Sequence, residues 1–536
     1  MFQMKRLLIS VLALNLIFWS FISGQYTPVE KGLKAISADV IKGELGFLAS
    51  DWTEGRQVGE RGELISADYI ASMLRIFGVN PGGDYPYAGG FSANQNNPER
   101  SYFQNFVLLK TVPESEQILK VRTTDGESIK SIDFTYNIDF FLRPSSANLE
   151  IEAPVIFAGY GFKNDNLKYN DFSKLDVKGK FILKISGVPG FAKEKLTPGQ
   201  IMEYPSELEK YARSMGAIGI IEFNPNSTVV SGPVRQNINN MSPSESNPRS
   251  AVSNAIYSIP GKNNPDNLIR INVSVKTANE MLRGTEVSID DYISKADKNT
   301  QYSFPSMSGK SVYFKSGSVT SLVSARNVIG IIEGNNPDQV IVIGAHYDHM
   351  GMNNGYIWNG ADDNASGTVG VMTLAKAIME TGKKPEKTII IALWTAEEEG
   401  LLGSRYYVEN LSYPLKNLRL NVNFDMISRY IADNEQNKVI MTYTSSYPGF
   451  KVLTETNIKK YGFDLNVEYQ PSLNPPGGSD HRSFVAAGVP VMRFKPGHRE
   501  EYHTPADEIG TVNWDIMEKI IRISFVNVWE LANSEW

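Results

Sequence analysis

From residue 340 onward, short β-branched apolar runs alternate with stretches of helical periodicity. The runs cover 340–345, 388–394, 420–424, 439–443 and 489–494. Apolar residues recur at helical spacing over 367–381, 449–461, 481–487 and 514–531. Strands alternating with helices predict a mostly parallel, mixed α/β sheet sandwiched by helices on both faces. The run Ile389-Ile-Ile-Ala-Leu-Trp394 contains no polar residue, as expected of a strand with no solvent-facing side.

Upstream, Ile65, Tyr69, Ile70, Met73, Leu74 and Phe77 predict a helix that stops at Gly78. A second block begins near residue 131. It contains short apolar runs at 155–158, 181–185 and 217–223, and a predicted helix over 205–215 with Pro205 in its first turn. Residues 224–250 are rich in Asn, Ser and Pro and read as a surface loop. At the N-terminus, Lys5 and Arg6 precede an apolar run to Ile22, followed by Ser23 and Gly24. That order describes a secretory signal over 1–24, with an uncleaved anchor as the alternative. It implies a secreted or periplasmic protein without stable membrane insertion once the signal is removed. In 536 residues, 41 % hydrophobic and 21 % charged residues exclude wholesale disorder and a polytopic membrane protein. A formal charge of −6 gives no electrostatic reason to expect nucleic acid as a partner. Cysteine is absent, so disulfides and thiolate ligands are excluded, and any imidazole chemistry falls to five histidines at 346, 349, 481, 498 and 503.

Ligand sites in open α/β sheets lie beyond the carboxyl ends of strands. Here the run 340–345 leads into His346-Tyr-Asp348-His349, and 388–394 into Thr-Ala-Glu397-Glu398-Glu399. The run 420–424 leads into Asp425, and 489–494 into a loop that carries His503. A Gly360-Ala-Asp-Asp363-Asn turn precedes a helix. Each piece alone has an ordinary reading, as a surface pair, a charged helix start or a turn. Together they would set several carboxylates at one sheet end, where they repel unless cations are present. Imidazole and carboxylate donors without thiolate suit zinc, and manganese or cobalt fit the same donors. Three ligating carboxylates, two Zn²⁺ and one bridging hydroxide sum to neutrality. A further carboxylate would then move the proton from water to the leaving amine.

At this point the sequence resembles the zinc aminopeptidases of metallopeptidase family 28. The resemblance rests on Gly344-Ala-His-Tyr-Asp-His, Asn359-Gly-Ala-Asp-Asp-Asn-Ala-Ser-Gly367, Ala396-Glu-Glu-Glu-Gly400, Asn423-Phe-Asp-Met426, Ser479-Asp-His481 and Tyr502-His-Thr-Pro505. The stretch Phe47-Leu-Ala-Ser-Asp-Trp-Thr-Glu-Gly-Arg56 resembles the family's opening segment. The region from Val155 to Phe223 is similar to an inserted protease-associated (PA) domain. The resemblance implies a zinc exopeptidase-like (phosphorylase/hydrolase-like) peptidase domain over 25–130 and 306–536, interrupted by a β-rich α/β PA-like insert over 131–305.

It also implies roles for individual residues. His346 and Asp425 would hold one zinc, Glu398 and His503 the other, and Asp363 would bridge them, followed by a cis peptide. Glu397 would be general base and then acid, acting with a metal-bridging hydroxide. Asp348 would orient His346, with Asp480 and His481 as supports nearby. His349 and His498 receive no role and read as loop residues. Some relatives place a tyrosine just before Ser-Asp-His. Here Asn474-Pro-Pro-Gly-Gly478 stands there, so no oxyanion donor is named. The implied activity is release of N-terminal residues from peptides with a free amino terminus. The alternatives are a glutamate carboxypeptidase-like or glutaminyl cyclase-like enzyme, or a non-catalytic binding protein on the same scaffold. Preferred side chain and oligomeric state are not legible.

Overall fold

The two most apolar runs of the sequence lie side by side. Strand Asn336–His346 pairs in parallel with Lys387–Trp394, placing Val342 opposite Ile390 and His346 opposite Trp394. The computed structural model describes residues 26–85, 100–142, 148–227, 255–262, 268–353, 355–430, 432–497 and 499–536. The expected leader 1–24, most of the expected loop 224–250 and His498 lie outside these residues. No helix among the described residues is long and apolar enough to cross a membrane.

The chain divides into two compact units, one of Met1–Phe106 with Ala325–Trp536 and the other of Val107–Ser324. In the first, the strand order is Asn466–Ser472, Lys438–Thr444, Val491–Lys495, Leu418–Phe424, Asn336–His346, Lys387–Trp394, then the end of Lys310–Ile332. Four of these six neighbour pairs are parallel. The pairs Lys438–Thr444 with Val491–Lys495 and Lys310–Ile332 with Lys387–Trp394 are antiparallel. The mixed, mostly parallel sheet read from the sequence is therefore present.

Side-chain alternation divides its core in two. Ile341, Ile343, Ile389, Ile391 and Leu393 enter one apolar cluster with residues of helices Ala38–Leu48, Arg61–Ile76, Gly367–Glu380 and Trp514–Asn533. Val340, Val342, Ile390, Ala392 and Trp394 enter a second, with Tyr407 and Phe484 of helices Leu402–Glu409 and His481–Ala486. The sheet is thus covered on both faces. Gly344 lets the Trp394 ring lie close, because a Cβ there would sit 2.6 Å from the indole nitrogen.

The second unit has its own core, with Leu149–Phe157, Phe181–Ile185, Gly219–Phe223 and Ile269–Val273 in parallel sequence. Its bounds differ from the 131–305 expected of an insert. Strands Phe103–Asp125 and Lys310–Ile332 are each 23 residues long, and most of both belongs to this unit. In both, apolar residues are interspersed with polar ones over much of the length, which weakens the continuous apolar signal that marks a buried strand.

The helix expected over 205–215 is Pro198–Ser214, and Pro205 lies inside it. Thr197 and Gln200 form a reciprocal capping box there, with Pro198 in the first turn. Two satisfied backbone donors outweigh the start signal of the later proline. Edge strand Asn466–Ser472 was also not anticipated. Its partly exposed alternation resembles loop chemistry more than a core strand.

Helix Ala38–Leu48 buries Glu44, whose carboxylate oxygens have no hydrogen-bond partner among the described residues. Burial, opposed by Lys376, pushes its carboxyl up to about 8 from 4.5. A raised folded-state value contributes stability below 4.5 that is lost as the pH climbs through about 8. Wild type should therefore lose up to about 4 kcal/mol relative to Glu44→Gln between pH 5 and 8. Denaturant unfolding across that range measures the difference, and a gap independent of pH would contradict the assignment.

Candidate metal centre

The parallel register delivers the site. His346 closes its strand opposite Trp394, so the segment Thr395–Glu398 begins beside it. Gly344 lies opposite Asn423, two residues before Asp425. Asp363 arrives from the turn Ala361–Ser366, whose peptide to Asn364 is cis.

Asp363 faces both halves of the site. Its Oδ1 lies 3.3 Å from His346 Nε2, which is 3.9 Å from Asp425 Oδ1 and 3.9 Å from Glu397 Oε2. Its Oδ2 lies 2.9 Å from His503 Nε2, which is 3.5 Å from Glu398 Oε1. Two trios, His346/Asp363/Asp425 and His349/Asp363/Glu398, each offer ligand atoms within 4.8 Å of one another. Donors bound to one zinc at about 2.0–2.2 Å stand roughly 3–4 Å apart, so nitrogen and oxygen atoms spaced this way fit a divalent cation. The structure thus brings together His346, Asp363, Glu397, Glu398, Asp425 and His503.

Charge without cations splits the group. Burial opposes ionisation of Asp363, yet hydrogen bonds from His346 and His503 hold its carboxyl well below the usual range. Asp425 is also lowered, because Lys495 and His346 outweigh its burial. Burial would lower His346, but the carboxylates around it, Glu397 first, hold it well above an ordinary imidazole. Burial drives Glu397 well up, with Asp480, Asp425 and Asp348 adding to the effect against His346.

Asp348 works differently from the expectation. His346 Nδ1 is 3.2 Å from the Asp348 backbone carbonyl and 3.7 Å from its carboxylate. The carboxylate instead accepts the backbone amides of Glu397 and Glu398, at 3.1 and 3.2 Å. One residue therefore orients the imidazole through its main chain and holds the Glu-Glu turn through its side chain. The Asp480 carboxyl is fully buried, and burial, opposed by His346 and a hydrogen bond with Ser404, pushes it up to about 7. His481 donates from Nε2 to the Pro476 carbonyl and accepts from Arg493 at Nδ1. Burial and Arg493 hold it near 3, so it stays neutral.

Sequence reasoning missed four residues around this centre. His349, read as a loop residue, is buried, and its Nδ1 lies 2.7 Å from Glu398 Oε1. The His-x-Asp-His spacing carried that signal. Asp507 accepts the amides of Asp362 and Asp363 and pairs with Arg429 at 3.1 Å. Arg56, inside the motif Gly55-Arg56, donates to the carbonyls of Tyr347, Leu48, Asn359 and Gly360. These bonds tie the His346 strand end to the turn that carries Asp363. Burial lowers the Arg56 guanidinium to about 10, which leaves it charged at neutral pH.

Residues 327–528 match the model of peptidase family M28. The family resemblance read from the motifs is therefore borne out for this stretch. Leucine aminopeptidase 2 of Arthroderma otae is 34 % identical over 170 residues, 31 % of this chain and 32 % of that protein. Aminopeptidase Y of Saccharomyces cerevisiae is 27 % identical over 225 residues, 38 % of each chain. The first of these matches spans about a third of the relative's length. Among solved structures, an aminopeptidase from Aneurinibacillus sp. strain AM-1 shares the fold with a TM-score of 0.58 at 18 % identity, covering 95 % of this chain and 97 % of its own. BSAP, a zinc aminopeptidase from Bacillus subtilis, does so with a TM-score of 0.51 at 20 % identity, covering 93 % and 96 %.

Arg56→Met would remove the donor of the buried Tyr347 and Asn359 carbonyls, whereas Leu48 would keep Thr53 Oγ1 and Gly360 the Ala365 amide. It should cost at least about 3 kcal/mol in denaturant unfolding. A loss below 1 kcal/mol would show that water or another donor replaces the guanidinium.

Proposed function

We propose that this chain is an exported zinc aminopeptidase that releases N-terminal residues from peptides. The observation that carries the reading is Asp363, whose two oxygens each face a separate histidine and carboxylate set. In this reading His346 and Asp425 hold one ion, Glu398 and His503 the other, and Asp363 both. Bound there, the ions would lower the pKa of a water between them and polarise the scissile carbonyl. Glu397 is the proton carrier. Its Oε2 lies 3.9 Å from His346 Nε2, and its backbone is held by Asp348. Among so many buried carboxylates it needs neighbouring cations to be ionised, and ionised it accepts a proton from water and returns it to the leaving amine. Export rests on the charged, apolar and small-residue order of 1–24. The PA-like insert read over 131–305 lies within the unit Val107–Ser324.

A panel of aminoacyl reporter substrates, assayed with and without chelator alongside metal stoichiometry, tests the activity. Chelation should abolish turnover and zinc should restore it. Hydrolysis confined to substrates with a blocked amino terminus would overturn the exopeptidase reading. Glu397→Gln should keep its metal and lose roughly 10²–10⁴ in turnover. A variant as active as wild type would remove Glu397 from that role.

Metal binding must also displace protons. The carboxylates around His346, Glu397 first, favour its protonated form against its burial, and only its neutral form is a ligand. Loading should therefore release protons, and apparent affinity should fall as the pH is lowered. Calorimetry in buffers of different ionisation enthalpy reads the release. Heats that do not vary with buffer would contradict it.

A further inference from the structure

His349 stands outside the ligand set assigned above, yet it is built into the same centre. Its side chain is 0 % exposed, and Nδ1 lies 2.7 Å from Glu398 Oε1 and 4.0 Å from Asp363 Oδ2. A carboxylate that holds a metal ion carries no proton, so in the two-ion reading this short contact is donated by His349 Nδ1–H. The other ring nitrogen, Nε2, has no hydrogen-bond partner among the described residues. The ring is held on several sides. The His349 amide donates to the Arg56 carbonyl at 3.1 Å. Gly360 permits the close approach, because a Cβ there would sit 2.4 Å from His349 Cδ2. The His503 ring centroid is 5.9 Å away.

Glu398 is therefore gripped twice. Its backbone amide donates to Asp348, and its side chain accepts from His349. A carboxylate on a metal loses affinity when its orientation is left free, and outer partners typically account for a 10–100-fold difference. We propose that His349 is a positioning residue for the second metal position, fixing the Glu398 carboxylate through its Nδ1–H so that Glu398, Asp363 and His503 converge on one ion. The role rests on the two-ion reading above. It needs an N–H donor at the Nδ1 position and makes no use of imidazole as a ligand.

That distinction sets the experiment. Full-length protein stripped with chelator is titrated with Co²⁺, and binding is followed by calorimetry and by the cobalt absorption bands. Wild type should take two ions. His349→Ala should bind the first as wild type does and the second roughly 10–100-fold more weakly, with altered second-site bands. His349→Asn, whose Nδ2–H replaces Nδ1–H, should restore both. His349→Phe keeps the ring volume without the donor, so it should show the same weakening of the second ion and replaces the alanine variant if the alanine cavity prevents folding. Second-ion affinity in the donor-less variants equal to wild type overturns the proposal. An asparagine variant as weak as alanine also overturns it, since that outcome makes the imidazole itself a ligand. Wild-type protein that binds fewer than two ions overturns the two-ion reading and this one together, whereas two ions with unchanged affinity in the variants overturns only the role of His349.

Discussion

Repulsion among buried carboxylates governs this molecule. Asp348, Asp363, Glu397, Glu398, Asp425 and Asp480 gather at one end of the sheet, and nearly all of them are buried. Like charges at such spacing in a low-dielectric interior cannot all ionise without cations. The split in proton affinity expresses that constraint. Asp363 and Asp425 keep their charge by leaning on imidazoles and Lys495, while Glu397 and Asp480 are driven toward the neutral form. Divalent ions relieve the same repulsion without protonating the ligands.

The remaining architecture holds that group in place. Turns have no ladder partners, so single buried side chains bond their backbones instead. Arg56 gathers four carbonyls, Asp348 two amides and Asp507 two more. Asn364 donates to the Phe424 carbonyl and accepts from the amides of Gly367 and Met426, joining the Asp363 turn to the Asp425 strand end. Rigidity at the centre comes from these side-chain clamps on irregular backbone, and the sheet beneath supplies the register.

Much of this was legible. The five apolar runs and four helices from 340 onward are present, because both patterns arise from local periodicity and burial on two faces. Legibility fell where signals competed or were polar. Pro205 suggested a helix start, but the capping box at Thr197 was the stronger one. The 23-residue strands Phe103–Asp125 and Lys310–Ile332 received no assignment from the sequence, because their apolar residues are interspersed with polar ones over much of their length. The Asp348 carboxylate seemed destined for His346, yet the two amides of the Glu-Glu turn lie within closer reach.

By itself the sequence determined the fold class, the chemistry of the donors and their placement at strand ends, since these depend on residue type and short-range spacing. Tertiary structure decided which atoms meet. His346 ends its strand and His349 follows three residues later, yet one imidazole faces Asp363 Oδ1 and the other Glu398 Oε1. That choice follows from backbone direction after the strand and from partners such as Arg56, 291 residues from Tyr347, whose proximity no local pattern encodes.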